Sequence, residues 1–184
     1  MQLAATVILG IIAQPSSDSV LLDGRCDPSE YAHAEARDLD HGVEFFAMHD
    51  DHFITLCAKL PPDSLGTMDL YLQSPEGGPV TNLHVSAQVG ERTYAEGDDP
   101  AWRWGNHQGW YGPPVEFRGT GLMPDGKPRA SFANPSGGEI RLWKARFGNG
   151  PWKLRMELRA IGPGKANMIR IPKAKGEWTI LRLR

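Results

Sequence analysis

Short runs of alternating apolar and polar residues are the main pattern along this chain. The clearest run is 152–161, where four apolar residues alternate with four charged ones, and residues 81–89 repeat the pattern. Because successive side chains of a strand point to opposite faces, each run predicts a strand with one buried face. Helical periodicity is not sustained over three turns anywhere in the sequence.

The predicted strands recur at intervals typical of an all-β fold. In chain order they are 20–24, 43–48, 53–60, 67–73, 81–89, 115–121, 129–132, 139–147, 152–161, 168–171 and 177–184. Residues 49–52 (His-Asp-Asp-His) suit a hairpin turn, and residues 28–37 suit a brief helical turn anchored by Tyr31. We therefore expect one domain over residues 20–184, an antiparallel β-sandwich of the jelly-roll type.

Composition supports this fold class. The chain has 184 residues, enough for one substantial core, and it contains 21 Gly and 15 Pro. Each internal Pro would destabilise a helix by ~3 kcal/mol and each Gly by ~1 kcal/mol. Many turns between short strands accommodate these residues better than a helical fold would.

Charge is unevenly distributed, although the net charge is only −2 and gives no sign of nucleic-acid binding. Residues 1–126 hold 6 Lys/Arg and 19 Asp/Glu, a balance of −13, whereas residues 127–184 hold 14 and 3, a balance of +11. The basic C-terminal strands could recognise an acidic partner or polyanion. The favoured interpretation is that acidic early strands pair with basic late ones, so that the charges cancel in space.

The N-terminus suggests export. Residues 3–13 form an apolar run that resembles the core of a signal peptide, with Ala13 as a cleavage position, although no Lys or Arg precedes it. We expect residues 1–19 to be a signal-peptide remnant or an N-terminal arm, and the protein to be secreted or periplasmic. The run could instead be a first β-strand, and it is too short for a transmembrane segment, which needs ~20 apolar residues.

The two cysteines, Cys26 and Cys57, match no zinc or redox motif. In an oxidising compartment they could close a loop of about 30 residues with a disulfide, stabilising the fold by ~3–4 kcal/mol. A buried free thiol at Cys57 is equally compatible with its apolar surroundings.

Several segments resemble, in the same order, the family-nine carbohydrate-binding modules and the related DOMON-like sandwiches. The resemblance is carried by residues 22–24 (Leu-Asp-Gly) followed by Tyr31, 50–56 (Asp-Asp-His-Phe-Ile-Thr-Leu), 68–72 (Met-Asp-Leu-Tyr-Leu), 139–143 (Glu-Ile-Arg-Leu-Trp) and 152–156 (Trp-Lys-Leu-Arg-Met). It implies a non-catalytic, often exported sandwich that holds sugar between two aromatic rings. In the family, one of those rings comes just before a strand with the pattern "D-x-V-E", and residues 68–72 correspond to that strand here. Residues 63–67 occupy that place here and contain no aromatic residue, so this ring is not carried over.

Residues 102–111, which we name the aromatic loop, are the leading candidate for a binding site. The predicted ligand-binding residues are Trp102, Arg103, Trp104, Asn106, His107, Trp110 and Tyr111. Sugar rings stack on aromatic faces while their hydroxyls need directional donors and acceptors, and this loop offers both. Arg beside Trp would equally suit a cationic or planar ligand. Alternatively, the rings turn inward and plug the end of the sandwich.

Metal and cofactor signals are weak, and we predict no metal site. His and Asp at 49–52 could hold a divalent ion, but a solvated turn is the favoured interpretation. The acidic side chains within residues 96–99 allow a structural calcium ion. Met48 and Met123 are candidates for a haem ligand of the kind that some DOMON-like domains use, although Met more often fills core gaps.

No catalytic motif is present, and we predict no catalytic residue. The sequence therefore predicts a non-catalytic, carbohydrate-binding sandwich of the cell envelope or secretome. A structural protein recognising an acidic partner through its basic C-terminal strands is one alternative. A carbohydrate-active hydrolase or lyase, which would need two facing carboxylates, is another.

Overall fold

A computed structural model describes residues 10–17, 20–95, 97–105 and 108–184. These residues form fifteen strands: β1 Ile11–Pro15, β2 Arg37–Asp38, β3 Glu44–His49, β4 Phe53–Lys59, β5 Thr67–Ser74, β6 Gly77–Val85, β7 Val89–Tyr94, β8 Arg103–Trp104, β9 Trp110–Tyr111, β10 Phe117–Leu122, β11 Pro128–Phe132, β12 Gly137–Trp143, β13 Trp152–Ile161, β14 Asn167–Ile171 and β15 Thr179–Leu183. A short helix α1 spans Lys144–Phe147, and single 3-10 turns lie at Asp40–Gly42 and Pro163–Lys165.

Thirteen strands form one curled sheet in the order β8-β7-β6-β5-β13-β15-β1-β3-β4-β12-β9, with β14 beside β13 and β2 beside β3. We call β5–β8 with β13–β15 the β5 half, and β2–β4 with β9 and β12 the β4 half. The strand β1 joins the two halves and is parallel to both of its neighbours, whereas every other described pair is antiparallel. The all-β sandwich predicted from sequence is confirmed.

The inner faces of the two halves share one core. Its fully buried members include Leu70 and Leu83, Leu154 and Met156, Ile54 and Leu56, and Ile140 and Leu142. These residues occupy alternate positions of β5, β6, β13, β4 and β12, because alternation places one side chain in two on the inner face. Full burial of each aliphatic side chain stabilises the fold by about 1.5–3 kcal/mol.

The second part of the N-terminal apolar run forms β1. Ile11 lies opposite Leu181 of β15, and Gln14 lies opposite Met48 of β3. Ala13 is fully buried. Residues 1–9, 18 and 19 of the predicted N-terminal segment lie outside the described residues. No helix in the described part of the chain is long and apolar enough to cross a membrane.

Two strand predictions are wrong. The predicted strand 81–89 ends at Val85, because the hydroxyl oxygen of Ser86 accepts a hydrogen bond from the amide of Gln88 and closes a turn. The chain then returns as β7, which had not been predicted. Residues 20–24 form no strand, since side chains of the protein bind their backbone: Arg141 donates to the carbonyl of Val20 at 2.8 Å.

Two further predicted strands pair with each other away from the sandwich. They correspond to β10 and β11, which form a separate two-stranded sheet. The predicted strand 139–147 is shorter than expected, since β12 ends at Trp143 and α1 follows it.

The outer face of the β4 half is covered by residues 20–36, which we call the covering segment. Cys26 and Cys57 form a disulfide, the first of the two alternatives for these residues. Tyr31 packs against Phe46 with ring centroids 5.4 Å apart, as expected of an anchor. Together they form a second, smaller core cluster outside the sheet.

A buried carboxylate holds the covering segment in place. Glu139 of β12 is fully buried, and it accepts hydrogen bonds from the Tyr31 hydroxyl at 2.7 Å and the Gly24 amide at 2.6 Å. Burial raises the pKa of Glu139 because the charged form is desolvated, and the two hydrogen bonds only partly offset this effect. Glu139 is thus a structural group that ties the covering segment to the sheet.

Early acidic residues meet late basic residues in the folded chain. Asp69 lies 3.5 Å from Arg159, and Asp40 lies 2.9 Å from Lys173. Asp69 and Arg159 lie on the paired strands β5 and β13, as the favoured interpretation of the charge split predicts, whereas Asp40 and Lys173 meet between a 3-10 turn and a loop. The sequence asymmetry is therefore partly cancelled in space.

Candidate functional site

The aromatic loop bridges the two halves of the sheet. Its first end is β8, which pairs with β7 in the β5 half, and its second end is β9, which pairs with β12 in the β4 half. Because side chains alternate along each strand, the loop divides its aromatic residues among three environments: two outer faces and the core. Asn106 and His107, both predicted ligand-binding residues, lie outside the described residues.

Trp110 fills the end of the core. Its ring is 1% exposed, and its indole N–H donates to Glu91 Oε2 at 2.8 Å. Glu91 is itself buried and also accepts a hydrogen bond from Arg146 at 2.8 Å and one from Arg103. A buried carboxylate requires such partners, so this cluster is structural. Trp110 therefore turns inward and plugs the end of the sandwich, which is the alternative to ligand binding, and its ring offers no face to a ligand.

Trp102 and Trp104 lie together on the outer face of the β5 half. Their rings stack with centroids 5.2 Å apart at an angle of 23°. The edge of His84 contacts both rings, at 5.4 and 5.6 Å. Trp104 remains 52% exposed. The two rings therefore form a fixed aromatic platform on an open surface.

The strand β7, next to β8, has a glycine, Gly90, at the position where the Trp104 ring lies against the strand. A Cβ atom on Gly90 would lie 2.7 Å from the Trp104 ring, closer than real contacts allow. Gly90 is directly opposite Trp104 in the ladder between β7 and β8. The absence of a side chain here allows the indole to lie flat on the sheet.

The strand register continues this surface across the β5 half. The outward side chains form two rows, the first Trp104, Gly90, His84, Asp69, Glu157 and Arg170, and the second Arg92, Asn82, Tyr71 and Arg155. From β8 to β13 the first row crosses four strand spacings, ~19 Å. We call this surface the outer-face site.

The middle of the outer-face site is polar and tightly connected. His84 Nδ1 is 2.8 Å from Asp69 Oδ1, and its Nε2 is 2.9 Å from the Ser86 hydroxyl. Asn82 is fully buried and accepts a hydrogen bond from Arg92 Nε at 3.1 Å. Asp69 and Asn82 are short side chains among longer ones, so they form the floor of the surface.

A second aromatic group lies at the far end of the rows. The guanidinium of Arg155 is 4.3 Å from the centre of the Tyr71 ring and 4.8 Å from that of Trp178. Burial raises the pKa of Tyr71 to about 12. Arg92 is held in a similar way, 4.5 Å over the Trp102 ring. Cations over ring faces fix the orientation of these side chains.

Sequence reasoning found Trp102 and Trp104 but missed the rest of this surface. His84, Tyr71, Arg155 and Trp178 lie 18 to 67 residues from the aromatic loop in the sequence, and only the folded sheet brings them together. The available signal was the polar side of the alternating strands, where aromatic and arginine residues stand at outward positions. The structure also separates Tyr111, which is 40% exposed and lies opposite Arg141 on the β4 half.

The predicted hairpin turn at residues 49–52 is present between β3 and β4. Its first residue, His49, accepts a hydrogen bond at Nδ1 from Lys144 Nζ at 3.1 Å. Among the described residues, no group of three or more His, Cys, Asp or Glu side chains could hold a metal ion.

The residues considered for calcium and those considered for haem lie in different parts of the fold. Asp99 forms an ion pair with Arg92, and Glu96 lies outside the described residues. Met48 is buried under the covering segment, and Met123 lies beside the end of β10.

Comparisons with family profiles and with the sequences of curated proteins gave no match. Among solved structures, the chain is similar to a family 9 carbohydrate-binding module from Caldicellulosiruptor kristjanssonii in complex with cellotriose. The TM-score is 0.54 and the identity 14%, over 95% of this chain and 93% of that one. It is also similar to a protein from Bacteroides uniformis described as a candidate carbohydrate-binding protein, with a TM-score of 0.53 and 9% identity over 95% of this chain and 100% of that one. The chain thus has the fold of a family 9 carbohydrate-binding module.

Proposed function

We propose that this protein is a non-catalytic carbohydrate-binding module that holds an oligosaccharide on the outer-face site. The observation that carries the proposal is one surface with an aromatic group at each end and a polar floor between them. Trp102 and Trp104 form one end, and Tyr71 with Trp178 forms the other. A structural neighbour that was solved in complex with cellotriose supports the same ligand class.

The chemistry of sugars matches this arrangement. A pyranose presents C–H groups on its faces and hydroxyls around its edge, so it needs flat apolar surfaces beside donors and acceptors. Rings held by stacking and by arginine lose little conformational freedom on binding. Each well-oriented ring contact contributes about 0.5–1.5 kcal/mol beyond the buried area.

The charges on the surface support a neutral ligand over a polyanion. Glu157 contacts both Arg159 and Arg170, the latter at 3.1 Å, and Arg92 pairs with Asp99. Most cations of the surface are therefore already matched by carboxylates. We expect affinity for a neutral glycan to change little between low and high salt, whereas polyanion binding would weaken steeply.

The test is a glycan array followed by calorimetry with cellotriose and the best glycan on the array. Trp104→Ala should weaken binding about tenfold or more, because a stacking face worth roughly 1.4 kcal/mol or more is lost. Its stability should stay within about 0.5 kcal/mol of wild type, since the ring is a surface group. Phe117→Ala is the matched control, because Phe117 is 56% exposed but lies on the separate β10–β11 sheet. Unchanged binding by Trp104→Ala, or no glycan bound by the wild type, would refute the proposal.

We also propose that the protein is secreted or periplasmic. The disulfide between Cys26 and Cys57 supports an oxidising compartment, because cytosolic thiols are kept reduced. Cleavage after Ala13 would remove most of β1, the strand that joins the two halves, so we expect the mature chain to retain Ile11. N-terminal mass spectrometry of the exported protein tests this: a mature chain starting at Gln14 would contradict it.

A further inference from the structure

A second exposed aromatic group lies on the opposite side of the sandwich, beyond the covering segment. Trp143 of β12 is 49% exposed, and its ring meets the Phe53 ring edge to face, with centroids 6.0 Å apart at 70°. A cavity of about 270 Å³ opens beside them, lined by residues 51–53 and 143–145. The outer-face site is on the other half of the sheet and shares none of these residues.

The surroundings of Trp143 are rigid. Its backbone amide donates to the Gly109 carbonyl at 2.9 Å, and the next amide, of Lys144, donates to the His52 carbonyl at 2.8 Å. The guanidinium of Arg141 lies 5.3 Å from the centre of the Phe53 ring. Three chain segments are thus tied together around one indole, which favours binding because little order has to be created.

The polar groups beside Trp143 have unused hydrogen-bonding capacity. Within the described part of the chain, the side chains of Asp51 and His52 make no hydrogen bond or ion pair. Asp51 offers acceptors, and His52 offers a donor and an acceptor when neutral. Lys144 adds a positive charge that balances Asp51, so the cavity is close to neutral overall.

From these features we infer that the cavity beside Trp143 is a second carbohydrate site, which takes a single neutral sugar ring. One sugar face would stack on the exposed indole, while hydroxyls at its edge would bind Asp51 and His52. The cavity is smaller than the roughly 300–1,000 Å³ of sites for larger ligands, which fits one ring rather than a chain. A protein partner is less well matched, because such interfaces need ~800 Å² on each side.

The consequence is a bivalent module with sites on opposite outer faces. That consequence rests on the outer-face site proposed above, but the site at Trp143 stands independently of it. Six tryptophans give six indole N–H signals in a ¹⁵N spectrum, so each site can be observed separately. The probes are cellotriose and a panel of methyl glycosides of glucose, galactose, mannose, xylose and N-acetylglucosamine.

The decisive measurement is the indole signal of Trp143 in the Trp104→Ala variant, titrated with these probes. We expect it to shift in a saturable way with at least one probe, and Asp51→Asn with His52→Ala to reduce the affinity severalfold while the signal stays in its native position. The Phe117→Ala variant serves as a control that should titrate like wild type.

The possible outcomes separate the two proposals. If the Trp143 signal does not move with any probe while Trp102 and Trp104 respond in the wild-type protein, the second site is refuted and the outer-face site stands. If Trp143 responds while Trp102 and Trp104 do not, the second site stands and the outer-face site is refuted. If the Trp143 signal titrates with the same affinity in the Asp51→Asn, His52→Ala variant as without these two changes, Asp51 and His52 do not bind the sugar and the inference fails.

Discussion

The two outer faces of this sandwich are built from the same kind of alternating strand but are used differently. On the β4 half, the covering segment hides most of the face and is fixed by a disulfide and by Glu139. On the β5 half, outward positions carry aromatic rings and arginines that remain accessible. Trp104 is 52% exposed there, whereas Tyr31, an aromatic over the other face, is 2% exposed.

The comparison teaches that an aromatic residue at an outward strand position has no fixed role. Where a further piece of chain lies over the face, the ring becomes part of a second core. Where nothing lies over it, the ring is a platform held only by its neighbours. Changes beneath the covering segment should therefore alter stability, whereas changes to the open rings of the outer-face site, and to Trp143 beyond the covering segment, should alter binding.

Removing the disulfide should produce the largest difference in response between the two faces. Cys26→Ala with Cys57→Ala opens a loop of 31 residues, and we expect the free energy of unfolding to fall by ~3–4 kcal/mol. Chemical denaturation of the variant and of reduced wild type measures this. The indole signals of Trp102 and Trp104 should not move, and a shift in them would show that the two faces are coupled.

A smaller effect is expected from removing one hydroxyl on each face. Tyr31→Phe takes a donor away from buried Glu139 and should destabilise the fold by about 1–3 kcal/mol. Tyr94→Phe removes the same atom from the β5 face, where the contact of Tyr94 is with the guanidinium of Arg92, and should change stability little. Equal losses in urea denaturation would contradict the distinction between a covered and an open face.

The two faces should also differ in the sign of their pH dependence. Burial raises the pKa of Glu139, so its contribution to stability is present in acid and is lost as the pH rises through its folded-state pKa. Partial burial acts to raise the pKa of Glu157 too, but hydrogen bonds from Arg159 and Arg170 outweigh it and lower the pKa. The contribution of Glu157 is therefore present near neutral pH and is lost as the pH falls through its folded-state pKa.

Neutral substitutions test these signs. Relative to wild type, Glu139→Gln should gain stability as the pH rises above the ordinary glutamate value of 4.5. Glu157→Gln should be less stable than wild type at neutral pH, and this deficit should shrink in acid. Denaturation series from acid to neutral pH provide the measurement, and parallel curves for both variants would show that neither carboxyl behaves as described.

The smallest effect on stability should come from Gly90→Ala. The added methyl group would meet the Trp104 ring at 2.7 Å and push it off the sheet, while the strand itself can accept alanine. We expect a change in stability within about 0.5 kcal/mol and a severalfold loss of affinity for the glycan that the array identifies. Gly121→Ala is the control, because a Cβ there meets no atom within 4 Å. Unaltered affinity would show that the position of Trp104 does not matter for binding.

Much of the fold followed from local patterns. The strands at 53–60, 67–73 and 152–161 were predicted because alternation and turn residues act over a few positions. The single strand predicted at 81–89 was wrong because one side-chain hydrogen bond at Ser86 decides between continuing and turning. The candidate site was predicted only in part: the sequence singled out Trp104 but grouped it with Trp110, six residues away and buried.

What the sequence determined by itself is therefore the set of strands, the all-β class and the chemical character of the aromatic loop, since each depends on neighbours along the chain. Only the tertiary structure decided which aromatic rings face solvent. Strand pairing placed Tyr71 and Arg155 on the same outer face as Trp104, Trp178 lies against Arg155, and the covering segment hid most of the opposite face. Exposure depends on what packs above a strand, and pairing between distant segments is set by the whole core rather than by any local pattern.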